Sequence, residues 1–197
     1  MKDFKLLELS KHIKIVLDEL GIYENIPSYM QEHMKDTPYR IVKAWKEFTN
    51  SLNENLVLPT MFSNQTNELV YVTDINFNSL CCHHFFPFSG LVHIAYLPDD
   101  NLPGLSKIPR IVKHFAKRPQ IQEIMVCEIS DYIFENVKPE FLMVICKAYH
   151  TCCSGRGVES SSPMIVSAIR YKENMSNDNI KELKKEVMET ISMKNNI

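Results

Sequence analysis

The chain has 197 residues, 45% of them hydrophobic and 23% charged, which suits one globular domain with a sizeable core and a helical extension. A net charge of −2 argues against a general nucleic-acid or membrane-surface binder and leaves room for a local basic pocket. No apolar segment flanked by basic residues opens the sequence and no apolar run is long enough to span a bilayer, so a cytoplasmic protein is expected.

Residues 3–20 carry Phe4, Leu6, Leu7, Ile13, Val16, Leu17 and Leu20 at helical spacing, with Gly21 as the stop. A second short helix follows Pro27. Asp36-Thr37-Pro38 opens a third, with Asp36 or Thr37 as cap and Pro38 in the first turn. Its apolar face is Ile41, Val42, Trp45 and Phe48. Residues 50–67, rich in Asn, Ser and Thr and holding Pro59, read as loop. Residues 69–80 and Gly90 to Leu97 have the Val, Ile, Tyr and Phe content of strands. Two helices are predicted over Ser106 to Lys117 and Gln120 to Val137, then strands over Phe141 to Tyr149 and Met164 to Tyr171. A charged surface helix over 176–194, opened by Ser176 or Asn177, ends the series. With only five glycines, most turns must use Asn, Asp, Ser and Pro. The order predicts an α+β domain, an antiparallel sheet with helices packed on one face. The divisions expected are an N-terminal helical region over 1–55, the α+β domain over 56–175 and a C-terminal helix over 176–197.

The six cysteines do not resemble a secreted disulfide framework, since four of them stand as the adjacent pairs Cys81-Cys82 and Cys152-Cys153. Cys127 and Cys146 read as core packing. Cys81-Cys82-His83-His84 and the distant His150-Thr151-Cys152 are different, because thiolate and imidazole are the ligands Zn²⁺ prefers. A Cys-x-x-His pair with one further Cys supplies three ligands and leaves a fourth position for water. His83 and His150 are then spare imidazoles suited to moving protons. A four-ligand structural zinc completed by Cys153 is the other reading, and ordinary buried cysteines with unremarkable histidines the third.

Several stretches, in order, resemble the GTP cyclohydrolase I family. Its Cys-Glu-His-His motif stands as Cys81-Cys82-His83-His84, with Pro87-Phe88 and Gly90 following. Val92 to Pro98 matches the next strand, which ends in Tyr-x-Pro. Gly104-Leu105-Ser106-Lys107-Ile108-Pro109-Arg110 matches Gly-Leu-Ser-Lys-x-x-Arg, and Arg118-Pro119-Gln120-Ile121-Gln122-Glu123 matches Arg-x-Gln-x-Gln-Glu. His150 to Gly157 matches His-x-Cys-x-x-x-Arg-Gly, and Asp36 to Arg40 matches Asp-Thr-Pro-x-Arg. Together these cover roughly residues 36–168, and their joint order and spacing make chance similarity remote.

The resemblance implies a tunnelling-type (T-fold-like) sheet and a zinc hydrolase that opens the imidazole ring of GTP at C8. Formate is released, and the ribose rearranges and closes a new ring to give 7,8-dihydroneopterin triphosphate. By position, Cys81, His84 and Cys152 correspond to the zinc ligands, and His83 and His150 to the acid/base pair. Glu123 corresponds to the guanine contact, because one carboxylate can accept from the purine N–H and amino group together. Gln122 falls beside it among the substrate-binding positions. Ser106, Lys107, Arg110 and Arg156 match the triphosphate grip, with Arg40 and Lys43 as a further phosphate-facing pair; guanidinium and ammonium groups stay charged near neutral pH. The family assembles as a homodecamer with active sites at subunit interfaces, and the same is expected here. Two alternatives remain: a related enzyme acting on another purine or pterin, and a catalytically silent nucleotide-binding homologue. The chain also departs from the family pattern. Cys82 replaces the glutamate beside the first zinc cysteine, Ile124-Met125 replaces Arg-Leu, and Ser162-Pro163-Met164-Ile165-Val166-Ser167 stands for Ser-x-Thr-x-Thr-Ser.

Overall fold

The computed structural model describes residues 2–56 and 60–194. Pro59 and the side chain of Phe4 lie outside the described residues. The chain forms two compact units, Met1–Asn50 and Ser51–Ile197. The first is helical: α1 (Lys2–Glu19), α2 (Ser28–His33) and α3 (Thr37–Phe48), with α1 packed against α3. Leu6 and Val42 are buried, while Leu7, Ile15 and Val16 on α1, and Leu20 just past its end, stay exposed. Gly21 takes a positive φ of 67°, the left-handed conformation that ends a helix with least strain in glycine. Asp36 precedes α3 but makes no side-chain cap bond; its carboxylate lies 4.0 Å from Arg40 instead.

The second unit is built on a five-stranded sheet. In chain order its elements are β1 (Met61–Ser63), β2 (Val70–Cys81), β3 (Pro87–Leu97), β4 (Asn101–Pro103), α4 (Lys107–Ala116), β5 (Pro119–Gln120), α5 (Gln122–Val137), β6 (Phe141–His150), α6 (Thr151–Ser154), β7 (Met164–Tyr171) and α7 (Asn177–Lys194). The strand order is β5-β2-β3-β6-β7, antiparallel except where β5 runs parallel to the end of β2. This is the α+β architecture expected, with three local corrections. The loop expected over 50–67 contains β1, which pairs with β4. Gln120, expected to open the second of the two helices, is strand together with Pro119 before it, since they pair with Leu80 and Cys81. β3 begins at Pro87 instead of Gly90, because its ladder with β2 runs on to the Leu80–Pro87 pair and leaves only residues 82–86 as the turn.

Period-two alternation along β3 and β6 explains the packing. Val92, Ile94, Tyr96, Leu142, Val144 and Cys146 face one side, against Ile108, Ile111 and Val112 of α4 and Met125, Val126, Ile129 and Ile133 of α5. These helical residues recur three or four apart, the spacing of one helix face. Each fully buried aliphatic side chain stabilises the unit by about 1.5–3 kcal/mol before entropy is counted. Ala95, Phe141, Met143 and Ile145 face the other side and meet Val187 and Ile191 of α7. The C-terminal helix is therefore charged outward and apolar inward, and the Ser176 hydroxyl accepts the Asn179 N–H at its start, 3.2 Å away. Cys146 is core, as expected. Cys127 is not: it sits on the solvent side of α5 and is exposed. Gly90 is required by close approach, since a Cβ there would lie 1.9 Å from the Lys147 carbonyl oxygen on β6. Among the described residues no helix is long and apolar enough to cross a membrane.

Candidate metal centre

Three strand ends meet at one edge of the second unit. β2 finishes at Cys81, and the turn that follows is closed by two backbone bonds, Phe85 N–H to Cys81 O and Cys81 N–H to Phe86 O, each 2.8 Å. Phe85 adopts a positive φ of 54° to make it so tight. Cys82 N–H donates to Gln120 O at 3.0 Å, which fixes the turn to β5. β6 pairs Phe88 with His150, and α6 then carries Cys152 back over the turn. The Thr151 hydroxyl donates to Pro87 O at 2.6 Å and ties α6 to the start of β3.

The ligand atoms of Cys81, His84 and Cys152 all lie within 4.8 Å of one another. Cys81 Sγ is 3.8 Å from His84 Nδ1. Zn–S and Zn–N bonds of about 2.3 and 2.0–2.1 Å put tetrahedral donors roughly 3.5–3.8 Å apart, so the group fits zinc with little adjustment. Both sulfurs are buried, and the Cys152 thiol is pushed up to about 11, first by burial and then by the Cys81 sulfur beside it. A divalent cation between them would reverse that by stabilising the thiolates. Cys153 is exposed and does not belong to the three-ligand group. His83 is exposed in the same turn, its Nδ1 3.7 Å from Cys81 Sγ.

His150 is half-buried and held on two sides. Its ring stacks on Phe88, centroids 4.5 Å apart and planes 6° from parallel. Its Nε2 lies 2.8 Å from Gln122 Oε1. Burial lowers its pKa from the ordinary value, and the Glu123 carboxylate works in the opposite direction. Glu123 itself is exposed in the first turn of α5. Gln122, expected among substrate contacts, is 1% exposed, and its amide nitrogen donates to Cys146 O at 3.2 Å and Met164 O at 3.1 Å.

The structure thus gathers Cys81, His83, His84, His150, Cys152 and Gln122 in one place, with Glu123 acting on His150 through its charge. Ser106 precedes α4 without a side-chain cap bond, and Lys107 and Arg110 occupy its first turn. Arg156 follows α6 and is exposed. Lys107, Arg110 and Arg156 have no ion-pair partner among the described residues, so their charges are available to an anion. Arg40 and Lys43 are exposed on α3 of the first unit. Two contributors were not singled out from the sequence. Phe88 and Thr151 carry no chemistry of their own, and only the register of β3 against β6 shows that they brace the site.

The sequence model of GTP cyclohydrolase I matches residues 9–192. The GTP cyclohydrolase 1 of Aquifex aeolicus is 45% identical over 141 residues, 71% of this chain and 76% of that one. The Campylobacter jejuni (strain 81116) protein of that name is 38% identical over 80% of this chain and 83% of its own. The Lysinibacillus sphaericus one is 34% identical over 199 residues, covering 98% of this chain and all of its own. With the match running through both halves of the metal group and nearly end to end, the chain belongs to the GTP cyclohydrolase I family.

Proposed function

We propose that this protein is a zinc-dependent GTP cyclohydrolase I, hydrolysing GTP at C8, releasing formate and rearranging the remainder to 7,8-dihydroneopterin triphosphate. The observation that carries the reading is the closed group of Cys81, His84 and Cys152 with two further histidines beside it. Cys81, His84 and Cys152 would hold the zinc, which would supply the Lewis acidity for activating water near neutral pH. His83 and His150 move protons to and from the purine and the opening ribose. Glu123 accepts from the guanine N–H and amino group. Ser106, Lys107, Arg110 and Arg156 hold the triphosphate by charge-assisted bonds, and Arg40 and Lys43 on α3 are a further phosphate-facing pair. The assembly is a homo-oligomer, a decamer with interface active sites; the exposed apolar side chains of α1 and the position of β7 at the end of the sheet support association. We place it in the cytoplasm, with no nucleic acid or membrane as partner.

The test is to load the protein with zinc, add GTP, and follow formate release and pterin absorbance together. Both signals, abolished by a chelator, are expected. Formate without pterin would mean that the rearrangement half is missing. Neither signal, with zinc and GTP both shown to bind, would favour a silent nucleotide-binding homologue, and turnover of another purine or pterin would favour the related-enzyme reading.

A further inference from the structure

We infer that Gln122 is a positioning residue that fixes the tautomer of His150, keeping the proton on Nε2 and leaving Nδ1 as the free nitrogen of the ring. The inference rests on the hydrolase reading for the use of His150, and on geometry alone for the tautomer. A glutamine amide has one end that only donates and one that only accepts. Here the donating end is claimed by two main-chain carbonyls, Cys146 O on β6 and Met164 O on β7, which cannot donate in return. The accepting end, Oε1, must therefore face His150 Nε2 at 2.8 Å, and that nitrogen must carry a proton. Neutral His150 then has its lone pair on Nδ1, which has no hydrogen-bond partner among the described residues. The ring cannot readily turn over to exchange the two nitrogens, because Phe88 is stacked flat against it and is itself 1% exposed. Nε2–H thus stays on Gln122, and Nδ1 is the nitrogen the ring presents. Gln122 is sealed from solvent at the start of α5, so it reaches the reaction only through the imidazole.

A neutron structure of the zinc-loaded wild-type protein, from crystals grown well above the ordinary histidine pKa, tests the tautomer directly. Deuterium on His150 Nε2 and none on Nδ1 is expected; the reverse overturns the inference, whatever the activity. Kinetics test the consequence. In Gln122→Met the acceptor is lost, and kcat should fall roughly 10- to 100-fold with KM for GTP nearly unchanged, the usual scale for a group acting through another. In Gln122→Glu a buried, protonated carboxyl can donate its O–H to one main-chain carbonyl while its other oxygen still accepts from Nε2–H, so much of kcat should return. If both variants lose kcat in proportion to lost thermal stability, Gln122 is only a clamp between β6 and β7, and the positioning role is overturned. Should Gln122→Met fail to fold, the neutron result still decides the tautomer. Wild-type protein with deuterium on Nε2 but no GTP turnover would sink the hydrolase reading and leave the tautomer lock standing.

Discussion

Two histidines sit on the same sheet and meet opposite fates. His93, in the middle of β3, is 3% exposed and faces the bulge in β2, where the register shifts between Val72 and Ile75. There Asp74, at a φ of 59°, donates its backbone N–H to His93 Nδ1 at 3.3 Å, with its carboxylate 3.9 Å from the same atom. His150, at the end of β6, has Nε2 engaged by Gln122 instead. Both neutral rings are of the Nε2–H form, yet at His93 the lone pair is consumed by the backbone and at His150 it is left over. A histidine becomes a tool or a rivet according to which nitrogen its neighbours occupy. Burial follows the same division, with His93 sealed within the sheet and His150 half-buried at its end.

The most drastic way to break this contrast is to remove what makes the His150 end reactive. Cys152→Ser replaces a buried thiol of the metal group by a hard hydroxyl. Zinc content measured by atomic absorption should drop well below one per chain, and formate release should fall to the level without protein. The sheet should survive, since Cys152 lies in α6 beyond the last residue of β6. Next in size is His150→Gln. A carboxamide keeps a donor toward Gln122 Oε1 but has no proton to exchange. We expect kcat to fall on the order of 10²–10⁴-fold, the contribution of a placed acid–base group, with zinc content retained. Unchanged turnover would show that His150 is a rivet like His93.

Much of this was legible in the sequence, for reasons that differ by element. β6 and β7 are legible to within a residue because Val, Ile, Met and Tyr are dense in both, and the grouping of Cys81, His84 and Cys152 because they stand at the family's motif positions. Cys127 misled because composition reports how often cysteine is buried, while only the facing of α5 decides whether this one is. β5 was hidden inside a helical pattern: two residues paired with Leu80 and Cys81 are too few for any period to register. The bracing of the site was hidden more thoroughly. Phe88 and Gln122 meet at His150 from β3 and α5, and no local pattern encodes a contact between chain-distant elements.

At the other histidine, stability rather than turnover should respond. His93→Leu removes the acceptor for the Asp74 N–H inside the sheet, and a buried donor stripped of its partner costs about 1–3 kcal/mol. Urea unfolding should register that loss, while kcat per folded molecule stays at the wild-type value. A fall in kcat with stability intact would erase the distinction between the two sites.

The smallest effect is the most discriminating, because it asks which part of Asp74 holds His93. Asp74→Gly deletes the carboxylate but keeps the backbone N–H, and glycine adopts a φ of 59° more readily than aspartate. If the N–H is the anchor, lost carboxylate attraction and relieved backbone strain oppose each other, and glycine's greater freedom in the unfolded chain trims the gain. The net change should then lie within about 1 kcal/mol, readable as a small shift in the urea midpoint. If Asp74→Gly instead costs as much as His93→Leu, the carboxylate holds the ring. His93 would then be a partner of a titratable side chain rather than of the backbone, and the bulge would lose its claim to be a purely structural histidine site.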